Sequence, residues 1–138
     1  MTALRNSQAA GSGAASLQPF RSELIQMSLR DCFAAYLEAY ADMDLQRVAG
    51  MLAEDVALRD WKISVSGKAA AVDETRKNFD SSDSIDIEIL GTYESGDTVA
   101  GELKITVNET EVLHVVDILE FDAQGRIVSI RAYVGRED

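Results

Sequence analysis

The second half of the chain alternates between apolar and polar residues with a period of two, the pattern of half-buried β-strands. Four segments show this alternation, at residues 84–93, 98–107, 112–121 and 126–134. The last two are separated by a short loop that ends in Gly125, a residue able to adopt a positive φ. The pattern therefore predicts a long antiparallel meander.

The first half of the chain has apolar residues at steps of three and four, which predicts helices. The first predicted helix covers residues 20–41. The second covers residues 45–53, with Asp44 as its N-cap, and the third covers residues 69–78.

Between the second and third helices, a turn at Glu54-Asp55 and a short strand over residues 56–61 are expected. Ser66-Gly67 then breaks the chain before the third helix. Helices followed by a run of strands predict an α+β fold with the helices packed on one face of the sheet.

The length of 138 residues suits a single domain. Residues 1–18 are rich in Ala, Gly and Ser without periodicity, so we expect a flexible tail followed by one domain over residues 19–138. The N-terminal segment has no hydrophobic signal core, and the single cysteine, Cys32, excludes an intrachain disulfide. These features predict a cytoplasmic protein.

The net charge of −11 and the lack of Lys/Arg clusters argue against binding to nucleic acid or to an anionic membrane surface. No apolar run is long enough to cross a bilayer. One histidine and one cysteine do not form a metal site, and no glycine-rich phosphate loop is present. We therefore expect neither a metal nor another cofactor.

Asp117 is the most informative candidate residue, because its strand neighbours on the same face are all apolar. Those neighbours are Leu113, Val115, Leu119 and Phe121. An ionised carboxylate is costly to bury among them, so this side chain is expected to be neutral, paired or catalytic.

The opposite face of the same strand is also largely apolar, through Val112, Val116 and Ile118. Helices can cover only one face of a sheet, so the other face is expected to meet a second copy of the chain. We expect a homodimer formed through the sheet.

The order of elements and the ending VVDILEFDAQGRIVSIRAY resemble the nuclear transport factor 2-like superfamily over about residues 20–135, and within it the ketosteroid isomerases. Tyr36 in YLEAYADMDL matches the tyrosine of their first helix. Asp60 closes LAEDVALRD, where those enzymes carry their general base. Asp117 lies nine residues before Arg126, which is the spacing of their second oxyanion-hole residue.

The resemblance implies a cone-shaped, curved antiparallel sheet with three helices on its concave face. It also implies a cofactor-independent isomerase acting on a small hydrophobic carbonyl compound. Asp60 would remove a proton alpha to the carbonyl, while Tyr36 and Asp117 would donate hydrogen bonds to the enolate oxygen. The pocket wall is expected to contain Trp61, Leu58, Met51, Val115, Leu119 and Val134.

Structural roles stay open for each of the three residues. Asp60 could form a surface ion pair with Arg59 or Lys62, and Tyr36 could be a core tyrosine with a satisfied hydroxyl. Asp117 could belong to the scaffold of the superfamily, which includes members without an established reaction.

Two other functions also stay open. One is an aldol ring closure of the polyketide cyclase type, and the other is a non-catalytic, dimeric ligand-binding or interaction module. Limonene epoxide hydrolases and scytalone dehydratases are less similar. Ala132 stands where the epoxide hydrolases have an aspartate. The scytalone dehydratases rely on histidines in the pocket, and the single histidine of this chain, His114, faces away from Asp117 by strand parity.

Overall fold

The computed structural model describes residues 27–137, so the predicted tail and the beginning of the predicted domain lie outside the described residues. The described part contains three helices and six strands in an α+β arrangement, which confirms the predicted fold class. The helices are α1 (Leu29–Ala41), α2 (Leu45–Met51) and α3 (Lys68–Asp80). The strands are β1 (Leu52–Arg59), β2 (Ser64–Ser66), β3 (Ile85–Ser95), β4 (Thr98–Val107), β5 (Glu111–Phe121) and β6 (Ile127–Val134).

The six strands form one sheet in the order β2-β1-β6-β5-β4-β3. The meander from β3 to β6 is antiparallel, as the period-two pattern predicted. The pairing of β1 with β6 is parallel, so the sheet is mixed and the expectation of an entirely antiparallel sheet was wrong at this pair. No hairpin joins these two strands, which are far apart along the chain, and a turn therefore does not dictate their relative direction.

Helix α1 begins at Leu29 because Ser28 is its N-cap, with the side chain accepting a hydrogen bond from the Asp31 N–H. The prediction of one continuous helix over residues 20–41 was therefore wrong at Ser28, which has an extended backbone. The predicted cap of α2 is confirmed, since Asp44 accepts a hydrogen bond from the Arg47 N–H.

The region after α2 differs most from the sequence prediction. Helix α2 ends at Met51, and β1 begins at once with Leu52, so Glu54 and Asp55 lie inside a strand and not in a turn. The register of β1 with β6 shifts between Leu52 and Ala57, and this irregularity explains why buried and exposed residues do not alternate regularly along this part of β1. The three-residue strand β2 was not predicted, because it is too short to show a pattern.

The core lies between α1 and the inner face of the meander. Phe33, Leu103 and Leu119 are completely buried there. Gly101 on β4 allows α1 to approach closely, because a Cβ at this position would lie 2.3 Å from Cζ of Phe33. Gly101 is paired with Asp117 across β4 and β5, so the Phe33 ring packs beside the site that the acid occupies.

The outer face of the sheet carries exposed apolar side chains, among them Val112, Val116 and Tyr133. Val116 and Tyr133 are directly opposite each other on β5 and β6. The homodimer expected on this face stays a prediction. Within residues 27–137, no helix is long and apolar enough to cross a membrane.

Candidate functional site

A cavity of about 610 Å³ lies between α1, α3 and the inner face of the sheet. This volume is in the usual range of small-molecule sites, about 300–1,000 Å³. Tyr36, Asp60 and Asp117, the three predicted catalytic residues, all line it. The structure therefore brings together side chains that are up to 81 positions apart in the sequence.

Asp117 is in the middle of β5 with its side chain on the inner face, as strand parity predicted, and it is 9% exposed. Its neighbours in the pairing are small: Gly101 on β4 and Ala132 on β6. Burial, and secondarily the charge of Asp60, raise the pKa of Asp117 from 3.8 to about 7. A large fraction of the Asp117 carboxyl is therefore protonated at neutral pH and can donate a hydrogen bond.

Tyr36 projects from α1 and is 5% exposed. Burial raises its phenol pKa well above 10, and the nearby Tyr40 and Asp117 raise it further, so the hydroxyl keeps its proton. The structural alternative was a hydroxyl already satisfied by the protein. No such hydrogen bond to Tyr36 is found within residues 27–137, and the same is true of the Asp117 carboxyl.

The unpaired polar atoms of Tyr36 and Asp117 are not sealed inside the protein. In the part of the chain that the structure describes, Ser84 Oγ is the single buried side-chain polar atom with neither solvent contact nor a partner. The Tyr36 and Asp117 oxygens therefore reach the open space of the cavity, where a ligand oxygen could accept their protons.

Asp60 follows the last residue of β1 and forms a tight turn. Its Oδ1 accepts hydrogen bonds from the backbone N–H groups of Lys62 (2.7 Å) and Ile63 (2.9 Å). The alternative role, a surface ion pair with Arg59 or Lys62, does not occur among the described residues, and Arg59 instead donates to the Tyr133 hydroxyl on the outer face. The turn fixes the orientation of the carboxylate, and Oδ2 stays available for proton transfer.

The six residues expected in the pocket wall divide into two groups of three. Trp61, Leu58 and Val115 line the cavity, whereas three other residues do not: Met51, Leu119 and Val134. Leu119 is on the predicted face but is completely buried in the core. Met51 packs at the end of α2 against the core, and Val134 is exposed at the end of β6.

A polar pair in the cavity wall was not predicted from the sequence. Asn78 of α3 donates a hydrogen bond of 2.5 Å from Nδ2 to the hydroxyl oxygen of Tyr40 on α1. Both side chains line the cavity. Tyr40 is four residues after Tyr36 and so lies on the same face of α1, which is a signal that the sequence already contained.

The other candidates for chemistry are remote from the site. His114 lies on the opposite face of β5 from Asp117 and is not part of the cavity wall. Burial and the neighbouring Asp31 raise the pKa of the Cys32 thiol, which disfavours the reactive thiolate. Within residues 27–137, no group of three or more His, Cys, Asp or Glu side chains could hold a metal ion.

Solved structures of other proteins have the same fold. A protein from Kribbella flavida, provisionally named a ketosteroid isomerase, has a TM-score of 0.70 at 18% identity, over 80% of this chain and 79% of that one. SalBIII, an epoxide hydrolase/cyclase-like enzyme with a role in pyran ring formation in the polyether salinomycin, has a TM-score of 0.69 at 20% identity, over 78% of this chain and 90% of that one. An LEH-like epoxide hydrolase from M. tuberculosis has a TM-score of 0.66 at 19% identity, over 75% of this chain and 80% of that one.

These identities are too low to show more than the fold. No curated protein matches the sequence significantly. The family model of the SnoaL-like domain, however, matches residues 33–130, which is most of the chain. The protein therefore belongs to the SnoaL-like domain family, and it has the nuclear transport factor 2-like fold.

Proposed function

We propose that the cavity is the active site of a cofactor-independent enzyme that moves a proton alpha to the carbonyl of a small, mostly apolar substrate. The observation that carries this proposal is the pair formed by Tyr36 and Asp117. Both are buried, Tyr36 keeps its proton and a large fraction of Asp117 does so at neutral pH, and neither has a hydrogen-bond partner among the described residues. A protein that only needed a stable core would not gain from two unsatisfied donors at one cavity wall.

The arrangement supports a two-step proton transfer. The Asp60 carboxylate takes the proton from the carbon alpha to the carbonyl, and the electron pair of the broken C–H bond moves to the carbonyl oxygen. Tyr36 and Asp117 then donate hydrogen bonds to the enolate oxygen, where the negative charge develops. Return of a proton from Asp60 to another carbon gives the isomer with the double bond moved and regenerates the carboxylate, and a proton that exchanges with solvent while it is on Asp60 brings deuterium into the substrate in D₂O.

The walls around these groups favour such chemistry. Apolar side chains from five strands line the same cavity, among them Ile87, Val115 and Ile130. In such surroundings hydrogen bonds to a developing charge are stronger than in water. The aldol closure, which is the alternative reaction, starts with the same deprotonation and would use the same three groups.

A deuterium-exchange assay tests the proposal without knowledge of the natural substrate. A panel of small enones and diketones in D₂O is followed by proton NMR for loss of the signal alpha to the carbonyl. We expect the wild type to accelerate exchange for at least one compound, and Asp60→Asn to slow it by about 10²–10⁴-fold. Asp55→Asn, which changes an exposed acid of the same strand, is the matched control and should keep full activity.

Exchange that persists in Asp60→Asn would remove this residue from the mechanism. Lack of exchange for every compound, together with an Asp117 carboxyl that NMR shows to be ionised at neutral pH, would support the ligand-binding module instead. A binding module has no need of a protonated carboxyl at this position.

A further inference from the structure

The wall opposite the sheet offers a further phenol hydroxyl, that of Tyr40. Its ring packs edge-on against Phe79 of α3, with centroids 4.9 Å apart, and lies 5.9 Å from the ring of Tyr36. Asn78 holds the hydroxyl oxygen from α3. These contacts fix the Tyr40 hydroxyl in place before any ligand arrives, and preorganised groups lose little freedom on binding.

The direction of the Asn78 hydrogen bond determines what Tyr40 can still do. The amide nitrogen of Asn78 donates, so the Tyr40 oxygen is the acceptor and its own proton is not used in this bond. No other hydrogen bond to Tyr40 occurs in the described part of the chain. Burial raises the pKa of Tyr40 to about 12, so the hydroxyl remains protonated at any pH used for an assay.

The charges around the cavity restrict the group that this hydroxyl could bind. Apart from Asp117, which is largely protonated, three acidic side chains line the cavity, against two lysines. Of the lysines, Lys77 is already paired with Asp73 and Glu74. A second carboxylate or phosphate on the ligand would be repelled, whereas a neutral hydroxyl or carbonyl oxygen would not.

We propose that Tyr40, held by Asn78, binds a second, neutral oxygen of the substrate. The substrate class is then a small, uncharged carbonyl compound that carries a further hydroxyl or carbonyl oxygen, and not a hydrocarbon-like monoketone. This inference rests on the proposed function for the position of the first oxygen, between Tyr36 and Asp117.

The test compares 2-naphthol with a set of dihydroxynaphthalenes whose second hydroxyl lies at different distances from the first. Binding to the full chain is measured by calorimetry at about pH 6, where Asp117 is mostly protonated. We expect the wild type to bind the best diol about tenfold more tightly than 2-naphthol, because one additional hydrogen bond forms.

Two variants separate recognition from packing. Tyr40→Phe keeps the ring contacts and removes the hydroxyl, and Asn78→Asp replaces the donor amide by a carboxylate that accepts a hydrogen bond from the Tyr40 hydroxyl. In both variants the diol should bind about as tightly as 2-naphthol, while the affinity for 2-naphthol stays that of the wild type. Tyr93→Phe, which removes an exposed phenol on the sheet, is the matched control and should keep the preference.

Three results would overturn the inference: no preference for any diol in the wild type, a preference that survives in Tyr40→Phe, or an equal loss of affinity for both probes. The last would mean that Tyr40 only supports the cavity wall. The same titration on Asp117→Leu tests the proposed function separately. If 2-naphthol binds this variant normally, the first oxygen site fails, while a preference that depends on Tyr40 keeps the second. If no probe binds the wild type, both proposals fail.

Discussion

Asp117 and Asp60 line the same cavity, but the first is buried in the middle of a strand and the second follows the end of one. Asp117 has only Gly101 and Ala132 beside it in the sheet and receives no hydrogen bond from the described residues. Asp60 receives two from backbone N–H groups. The comparison shows how one residue type, placed in the middle of a strand or after its end, can supply a protonated donor and a hydrogen-bonded carboxyl to the same cavity.

Apart from the loss of the base itself, the largest expected effect comes from removing the donors at the buried end. Asp117→Leu and Tyr36→Phe should each slow alpha-proton exchange by about 10²–10³-fold, since each removes one hydrogen bond to the developing enolate. Initial exchange rates on the best compound of the panel measure this. Circular dichroism checks that the variants stay folded, and unchanged rates in folded variants would mean that the enolate forms elsewhere.

The second effect concerns stability. Because the folded-state pKa of Asp117 is raised to about 7 from 3.8, the contribution of this carboxyl to the free energy of unfolding is complete below pH 3.8. It decreases as the pH rises and is lost above about 7. Asp117→Asn carries no titrating group, so its advantage over the wild type should grow by up to about 4 kcal/mol between pH 4 and pH 8.

Urea unfolding of both proteins at several pH values measures this difference, and comparison of the two cancels the titration of all other groups. A gap between Asp117→Asn and the wild type that stays constant with pH would show that Asp117 has an ordinary pKa. The contrast between the two acids would then disappear, and with it the donor role of Asp117.

The contrast itself was only partly predictable from the sequence. A period of two is enough to place Asp117 on the inner face of β5, and the inner residues of that strand are indeed buried. Parity gives the face but not the depth along the strand. Leu119, two residues further on, was expected in the pocket wall because it is on the same face as Asp117. It lies instead in the core under α1 and is not part of the cavity wall.

Other features depend on contacts between distant segments, which leave no local pattern. The parallel pairing of β1 with β6 joins segments about half the chain apart. The hydrogen bond between Asn78 and Tyr40 likewise depends on how α3 packs on α1. The three catalytic candidates were identified because their spacing resembles a known family, and composition alone would not have selected them.

A third prediction concerns the packing around the buried end. Gly101→Ala would place a methyl group against the Phe33 ring next to Asp117, so we expect a loss of about 1–3 kcal/mol in the free energy of unfolding. Gly50→Ala is the matched control. Its Cβ would meet nothing within 4 Å, and alanine in helix α2 should be stabilising by about 0.5–1 kcal/mol. Equal effects of the two substitutions would argue against the close approach of α1 to β4.

The smallest effect tests whether the two acids act on each other at all. Burial is the main cause of the raised pKa of Asp117, and the charge of Asp60 is the lesser one. Asp60→Asn should therefore lower the pKa of Asp117 and leave the larger part of the shift in place. NMR titration of the Asp117 carboxyl carbon measures this, with Asp55→Asn as the control for a charge removed elsewhere on β1.

The size of that change separates two views of the site. If the pKa of Asp117 does not move, Asp60 does not share the cavity with it in solution, and a base that acts beside this donor has to be sought elsewhere. If the pKa falls back to its ordinary range, burial is not what keeps the proton on Asp117. A moderate fall means that ionised Asp60 strengthens the hold of Asp117 on its proton, so the base in its resting state helps to keep the donor protonated.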